Sequence, residues 1–241
     1  MLSLLTRPRR RSLRELWRNS DAVILVEFAY ALPVLMGLAF SAVELANLAI
    51  TNMRISQIAM TSADNVSRAL QSVRLNPVVL REVDVNDALV GARIQAGGGQ
   101  DMSGGDVGPG RVDLFGKGRV ILSSLQRDAN GRQTIFWQRC KGLLRVNSAY
   151  GSQGATEGVT PGFSGMGAGA TRVQAAPASA IIFAEVTYDY EPLVGSWALG
   201  TFRIRREAAF YVRDERDLSL INNPNPRANV ANCNLYNTTF T

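Results

Sequence analysis

Three patterns of apolar and polar positions divide this chain. Residues 22 to 43 form a run of 22 in which only Glu27 and Ser41 are clearly polar. A helix of that length spans roughly 33 Å and bilayer hydrocarbon is about 30 Å thick, so the run predicts a membrane-crossing helix. Beyond it the pattern turns amphipathic. The stretch VELANLAITNMRISQIAMTSADNVSRALQSV lacks Gly and Pro, and Ile55, Ile58, Ser62, Val66, Ala69 and Val73 fall at spacings of three and four, the period of one helical face. Asp64 and Arg68 are four apart on the polar side, where they can pair. The two zones read as one helix over residues 22 to 73, stopped by Asn76-Pro77 because proline disfavours helical backbone in the residue before it.

After Pro77 the third pattern begins. LREVDVNDALVGARIQ returns briefly to helical spacing, and AGGGQDMSGGDVGPG breaks regular structure. GRVILSSLQRDANGRQTIFWQRCKGLLRV holds two apolar runs on either side of Asn130-Gly131, a hairpin signal, and SAIIFAEVTYDYEPL and TFRIRREAAFYVRDE are two more strand-like runs. Between the hairpin and these runs YGSQGATEGVTPGFSGMGAGATR reads as a mobile surface loop without a repeat period, and the tail from Asn222 reads as irregular. The expected fold class is α+β: a long amino-terminal helix, transmembrane and then exported, packed through its outer half on a small antiparallel sheet of four or so strands with Gly-rich loops. The expected organisation is a basic cytoplasmic leader (1–22), a transmembrane helix (23–46), its exported continuation (47–76) and an exported α+β domain (77–241).

Charge sharpens the topology. The net charge of +6 is uneven: Arg7, Arg9, Arg10, Arg11, Arg14 and Arg18 precede the apolar run against only Glu15 and Asp21. A nucleic-acid reading needs its basic residues on a folded face. A basic cluster directly before an apolar span instead follows the positive-inside rule, which puts the amino terminus in the cytoplasm and the carboxyl terminus outside. Trp17 beside the arginines suits an interface, or a solvated leader equally. An ordinary secretory signal is the rival reading, with AFSA at residues 39–42 as its cleavage site. The length of the run and the helical continuation stand against it.

Little chemistry accompanies this frame. The chain has no histidine, which removes the commonest general base and zinc ligand. Cys140 and Cys233 are in no metal-ligand spacing; exported, they can form a disulfide, and two unrelated thiols fit the sequence as well. Gly116-Lys117-Gly118 has the wrong spacing for a phosphate loop. Asp101, Asp106 and Asp113 are too loosely spaced for a calcium loop. Glu185, Thr187 and Asp189 share one face of a strand, with Val186, Tyr188 and Tyr190 on the other, and read as its solvated side. No enzyme, cofactor, metal, small-molecule substrate or nucleic acid is expected.

A basic leader, a small residue, an apolar helix with an early glutamate and a long amphipathic continuation together resemble type IV prepilins. More narrowly, Val26-Glu27-Phe28-Ala29, then Leu32-Pro33-Val34-Leu35, then Val43-Glu44-Leu45 resemble the TadE-like pseudopilins of tight-adherence (Flp) pilus systems, a likeness covering roughly residues 18 to 70. The resemblance implies cleavage by a prepilin peptidase between Ala22 and Val23, which makes Glu27 the fifth mature residue, although the family usually has Gly where this chain has Ala22. It implies a single-pass protein of the bacterial inner membrane with a periplasmic domain. Its expected partners are other pilin or pseudopilin subunits, the peptidase, an inner-membrane assembly platform and membrane lipid. Glu27 and Phe28 would then serve assembly, Glu27 pairing with the new amino group of its own or a neighbouring helix. Pro33 is tolerable within a lipid-embedded helix, and Glu44 should lie near the outer interface where a charge costs little.

Overall fold

The structure, a computed structural model, describes residues 21–69, 78–97, 112–193, 200–213 and 216–239. The leader arginines, Trp17, Val73, Asn76-Pro77, Asp101 and Asp106 lie outside the described residues. The chain divides into two compact units, Met1–Ala46 and Asn47–Thr241.

One helix, α1 (Asp21–Ser67), runs through both units. It is shorter than the pattern predicts, ending at Ser67 and not at residue 73. The last turn holds Asp64, Asn65 and Ser67, weak helix formers, and the Ser67 hydroxyl donates to the Asp64 carbonyl at 2.8 Å. Arg68 then closes the end with backbone bonds to Asp64 and Asn65, and its side chain pairs with Asp64 at 2.8 Å as the spacing predicts.

After α1 come β1 (Val78–Arg81), α2 (Glu82–Gln95), β2 (Gly118–Arg127), β3 (Gln133–Lys141) and β4 (Ala180–Tyr190). β5 (Phe202–Tyr211) and β6 (Arg216–Asn222) complete the order. The main sheet is antiparallel with the order β3-β2-β4-β5. Its first hairpin turns at Asn130-Gly131 because Asp128 caps the loop: its carboxylate accepts from the N–H groups of Asn130 and Arg132, both at 2.9 Å, while Gly131 takes a left-handed φ of 77°. A second pairing was not visible in the pattern. β1 and β6 run parallel, joining chain positions 78 and 216.

The sheet has two covered faces. On one, Ile55, Ile58, Ala59, Ala63 and Val66 of α1 and Val85, Leu89 and Ala92 of α2 share a core with Val120, Leu122, Ile182, Ala184 and Val186. This is the predicted helix-on-sheet layer. Ser62, 1% exposed, lies among these helix residues as the spacing requires. The other face carries a second core of Leu125, Ile135, Ile181 and Phe183 against Ala155, Phe163, Met166 and Ala175. The Gly-rich segment is therefore a packed layer and not the surface excursion expected, because its scattered apolar residues find the sheet's second face. The loop also hydrogen-bonds along β3, through Ile135 and Ala155 at 2.9 Å and Gly154 and Ile135 at 2.8 Å.

The tail finishes the same edge. Cys140 N–H donates to the Ala231 carbonyl at 2.8 Å and Gly142 N–H to that of Asn237 at 3.1 Å. Cys140 and Cys233 are bonded as a disulfide across 93 positions, which settles the choice the sequence leaves open. In the chain-entropy view, closing a loop of that length contributes roughly 4 to 5 kcal/mol.

Candidate functional site

The feature that sets this chain apart from an ordinary α+β domain is the first half of α1. Every described side chain over residues 23–43 is exposed, from Val23 at 62% and Ile24 at 70% to Phe40 at 50% and Val43 at 57%. Fourteen large apolar side chains over residues 23–45 are exposed in this way. Water rejects such a surface, since even the largest apolar patches of soluble monomers seldom pass a few hundred Å². The helix is long and apolar enough to cross a membrane.

Its polar exceptions differ in how they are satisfied. The Ser41 hydroxyl donates back to the Gly37 carbonyl at 2.8 Å, so it carries no unmet bond into an apolar medium. Pro33 lies inside the helix and lacks the N–H that would bond the carbonyl four residues earlier. Glu27 is exposed and has no hydrogen-bond or ion-pair partner among the described residues. It stands next to Phe28, 58% exposed, and one helical turn beyond Val23. The backbone at Ala22 and Val23 is helical, so the bond between them belongs to α1 and not to a loop. Glu44, expected at an interface, is only 5% exposed.

Beyond residue 46, the outer face of α1 keeps an apolar stripe. Ile50, Met53 and Met60 are 50%, 61% and 46% exposed, at spacings that place them along one side of the helix with Gln57 between. The spacing that identified the buried face equally defines this opposite one.

The Glu185 face corrects the sequence reading. Glu185 is 2% exposed and Thr187 7%, so this side of β4 is covered and not solvated. The Glu185 carboxylate accepts from the Ser148 hydroxyl and from Ala149 N–H at 3.0 Å, and pairs with Arg205 at 2.7 Å. Burial pushes its carboxyl up, and those three partners pull it back without cancelling the shift. Asp189, farther along, pairs with Arg203 at 2.7 Å, which holds its carboxyl below the usual range. Arg205 also pairs with Glu207 at 2.7 Å, so all three of these carboxylates are held in ion pairs. One interaction had no signal in the spacing: Glu82, 3% exposed at the start of α2, forks onto Arg139 of β3. Tyr188 lies in the core, on the face opposite Glu185 as the alternation requires, and burial pushes its hydroxyl up to about 12.

No protein-family model matches the chain, and no curated protein or solved structure matches it.

Proposed function

We propose that the chain is a minor pseudopilin or assembly factor of a tight-adherence (Flp) pilus. In this reading a prepilin peptidase cuts between Ala22 and Val23, and the mature protein acts by helix–helix association in the bacterial inner membrane. The observation that carries the reading is Glu27, a carboxylate without a partner among the described residues on an exposed and largely apolar helical run. A charge at mid-bilayer costs on the order of 2.5 to 3.5 kcal/mol, and less near a helix start. The new amino group of a cleaved Val23, on the same helix or a neighbouring one, relieves that cost by pairing with the carboxylate. Pairing between subunits favours the stagger in which one helix start lies beside another's fifth residue.

Two further observations support it. The exposed stripe of Ile50, Met53 and Met60 extends the apolar surface past the span, offering a neighbouring helix more to pack against. The Cys140–Cys233 disulfide suits an oxidising compartment, the periplasm, for the unit beyond residue 46, and the arginines before Ala22 suit the cytoplasmic side. The partners are other pilin or pseudopilin subunits, the peptidase, an inner-membrane platform and lipid.

Ala22 in place of the usual Gly favours one alternative, an unprocessed, signal-anchored periplasmic binding module with no filament role. Intact mass of the membrane-extracted protein separates the two. A chain beginning at Val23 supports the pseudopilin, one beginning at Met1 the anchored module. Glu27→Ala should then abolish pilus assembly while leaving membrane insertion intact; normal pili in that mutant would remove the proposed pairing.

A further inference from the structure

Arg119 is the second residue of β2. It is 1% exposed, and among the described residues no carboxylate pairs with it. Its guanidinium has five N–H bonds to satisfy. One group donates to the Cys233 carbonyl and one reaches the Gly142 carbonyl at 3.5 Å, while Nε has no hydrogen-bond partner. The ring of Tyr236 lies 4.0 Å from the guanidinium carbon and supplies a cation–π contact. A buried cation held by two carbonyls and a ring is under-compensated, since buried charges ordinarily find an opposite charge.

Arg119 is one of the residues that line a cleft of about 370 Å³. Ile121 and Val146 give the cleft apolar walls, and the Cys140–Cys233 bridge borders it. Asn147, Ser152 and Asn234 line it with polar groups. The Asn147 Oδ1 accepts from the Tyr236 hydroxyl at 3.4 Å, and the same amide carries an NH₂ donor. Ser148, also at the cleft, has its hydroxyl committed to Glu185, and Glu185 is itself paired with Arg205. Arg205 also pairs with Glu207 at 2.7 Å, so one guanidinium serves two carboxylates. Arg145 faces the Tyr236 ring as well, 5.5 Å from its centroid, so a second cation stands on this side of the unit.

We propose that this cleft binds a carboxylate group, seated on Arg119 and Asn147, from a free small acid or from the carboxyl-terminal end of a peptide. A planar guanidinium matches a carboxylate in shape, and one buried cation matches one negative charge better than it matches a phosphate dianion. The site belongs to the oxidised chain. The bridge holds Cys233, and with it the carbonyl on Arg119 and the nearby Tyr236, against the end of β3.

Titration calorimetry on the full chain in dodecyl maltoside tests this with four probes: succinate, N-acetyl-triglycine, its carboxamide, and inorganic phosphate. The two carboxylates should bind at one site and the carboxamide should not. Tighter binding of the peptide acid identifies a chain end as the source, and equal or tighter binding of succinate a free acid. Asn147→Ala, at an exposed position, should weaken binding about tenfold. Arg119→Gln should abolish it with an unchanged circular dichroism spectrum. If Arg119→Gln does not fold, the Asn147 variant and the reduced wild-type chain, which should lose binding, carry the test. Absence of heat with both carboxylates, phosphate binding more tightly than either, or full binding after reduction would each overturn the proposal.

Discussion

Glu185 carries a charge where alternation along β4 promises water, and the consequence is a pH dependence. Its carboxyl is pushed up in the folded chain, first by burial, despite Ser148, Ala149 and Arg205. Between the ordinary carboxylate value and the raised one, the folded chain therefore holds more protons than the unfolded chain. Stability contributed by this group is greatest on the acid side of that window and falls as pH rises through it. Glu185→Gln removes the titration while keeping an oxygen for the Ala149 N–H. In denaturant titrations over roughly pH 4 to 8, the midpoint of the variant should gain on that of the wild type as pH rises. Parallel curves would show that Glu185 titrates alike in both states. The residues around it explain why a polar face can be covered at all. Irregular chain carries backbone groups that no ladder satisfies, and polar strand residues meet them. Gln138 donates to the Gly151 carbonyl at 3.2 Å, Gln133 exchanges bonds with Ala175 at 2.8 and 3.0 Å, and Arg119 donates to Cys233.

Beyond residue 46, helix α1 has two faces, one buried against its own sheet and one exposed. The buried face is committed to the core, whereas Met53 is 61% exposed. Met53→Lys should leave stability within about 0.5 kcal/mol, as surface changes do, yet reduce filament assembly if neighbouring helices pack along this stripe. Denaturant midpoints and filament counts by electron microscopy measure the two effects separately, and undiminished filaments would assign the stripe to solvent. The elements that could be read in advance share one property: each is defined by neighbours in sequence. The amphipathic spacing of Ile55, Ile58, Ser62 and Val66, the Asn130-Gly131 turn and the alternation of β4 are all local. What could not be read depends on distant chain. β1 is four residues long and leads straight into α2, with no turn to mark it, and its parallel partner lies at the far end of the sequence. The Gly-rich segment looks solvated because Ala155, Phe163 and Met166 are sparse, and only the second face of the sheet gathers them. At the amino-terminal site, the apolar run and Glu27 were legible as composition, whereas no partner for that carboxylate lies among the described residues.

At the scale of the whole molecule, the division after Ala46 separates two solvent preferences. The apolar clusters of the larger unit are built from residues at Leu48 and beyond, including Ile55, Ile58 and Val66 of α1. Their burial, at about 25 cal/mol per Å² of apolar surface, does not depend on the exposed run before residue 46. The same accounting makes that run the part that water penalises, with fourteen large apolar side chains left uncovered. A chain beginning at Asn47 should therefore fold, keep its Cys140–Cys233 bridge when made in an oxidising compartment, and remain monodisperse without detergent. The full chain should need detergent or a bilayer. Sedimentation in detergent-free buffer and circular dichroism of the two chains test this directly. If the shortened chain aggregates or loses its helix signal, the apolar run contributes to the fold itself. A shortened chain that stays folded and soluble would leave residues 23–46 with one requirement, an apolar medium, and leave Glu27 as the exposed charge within it that calls for a partner.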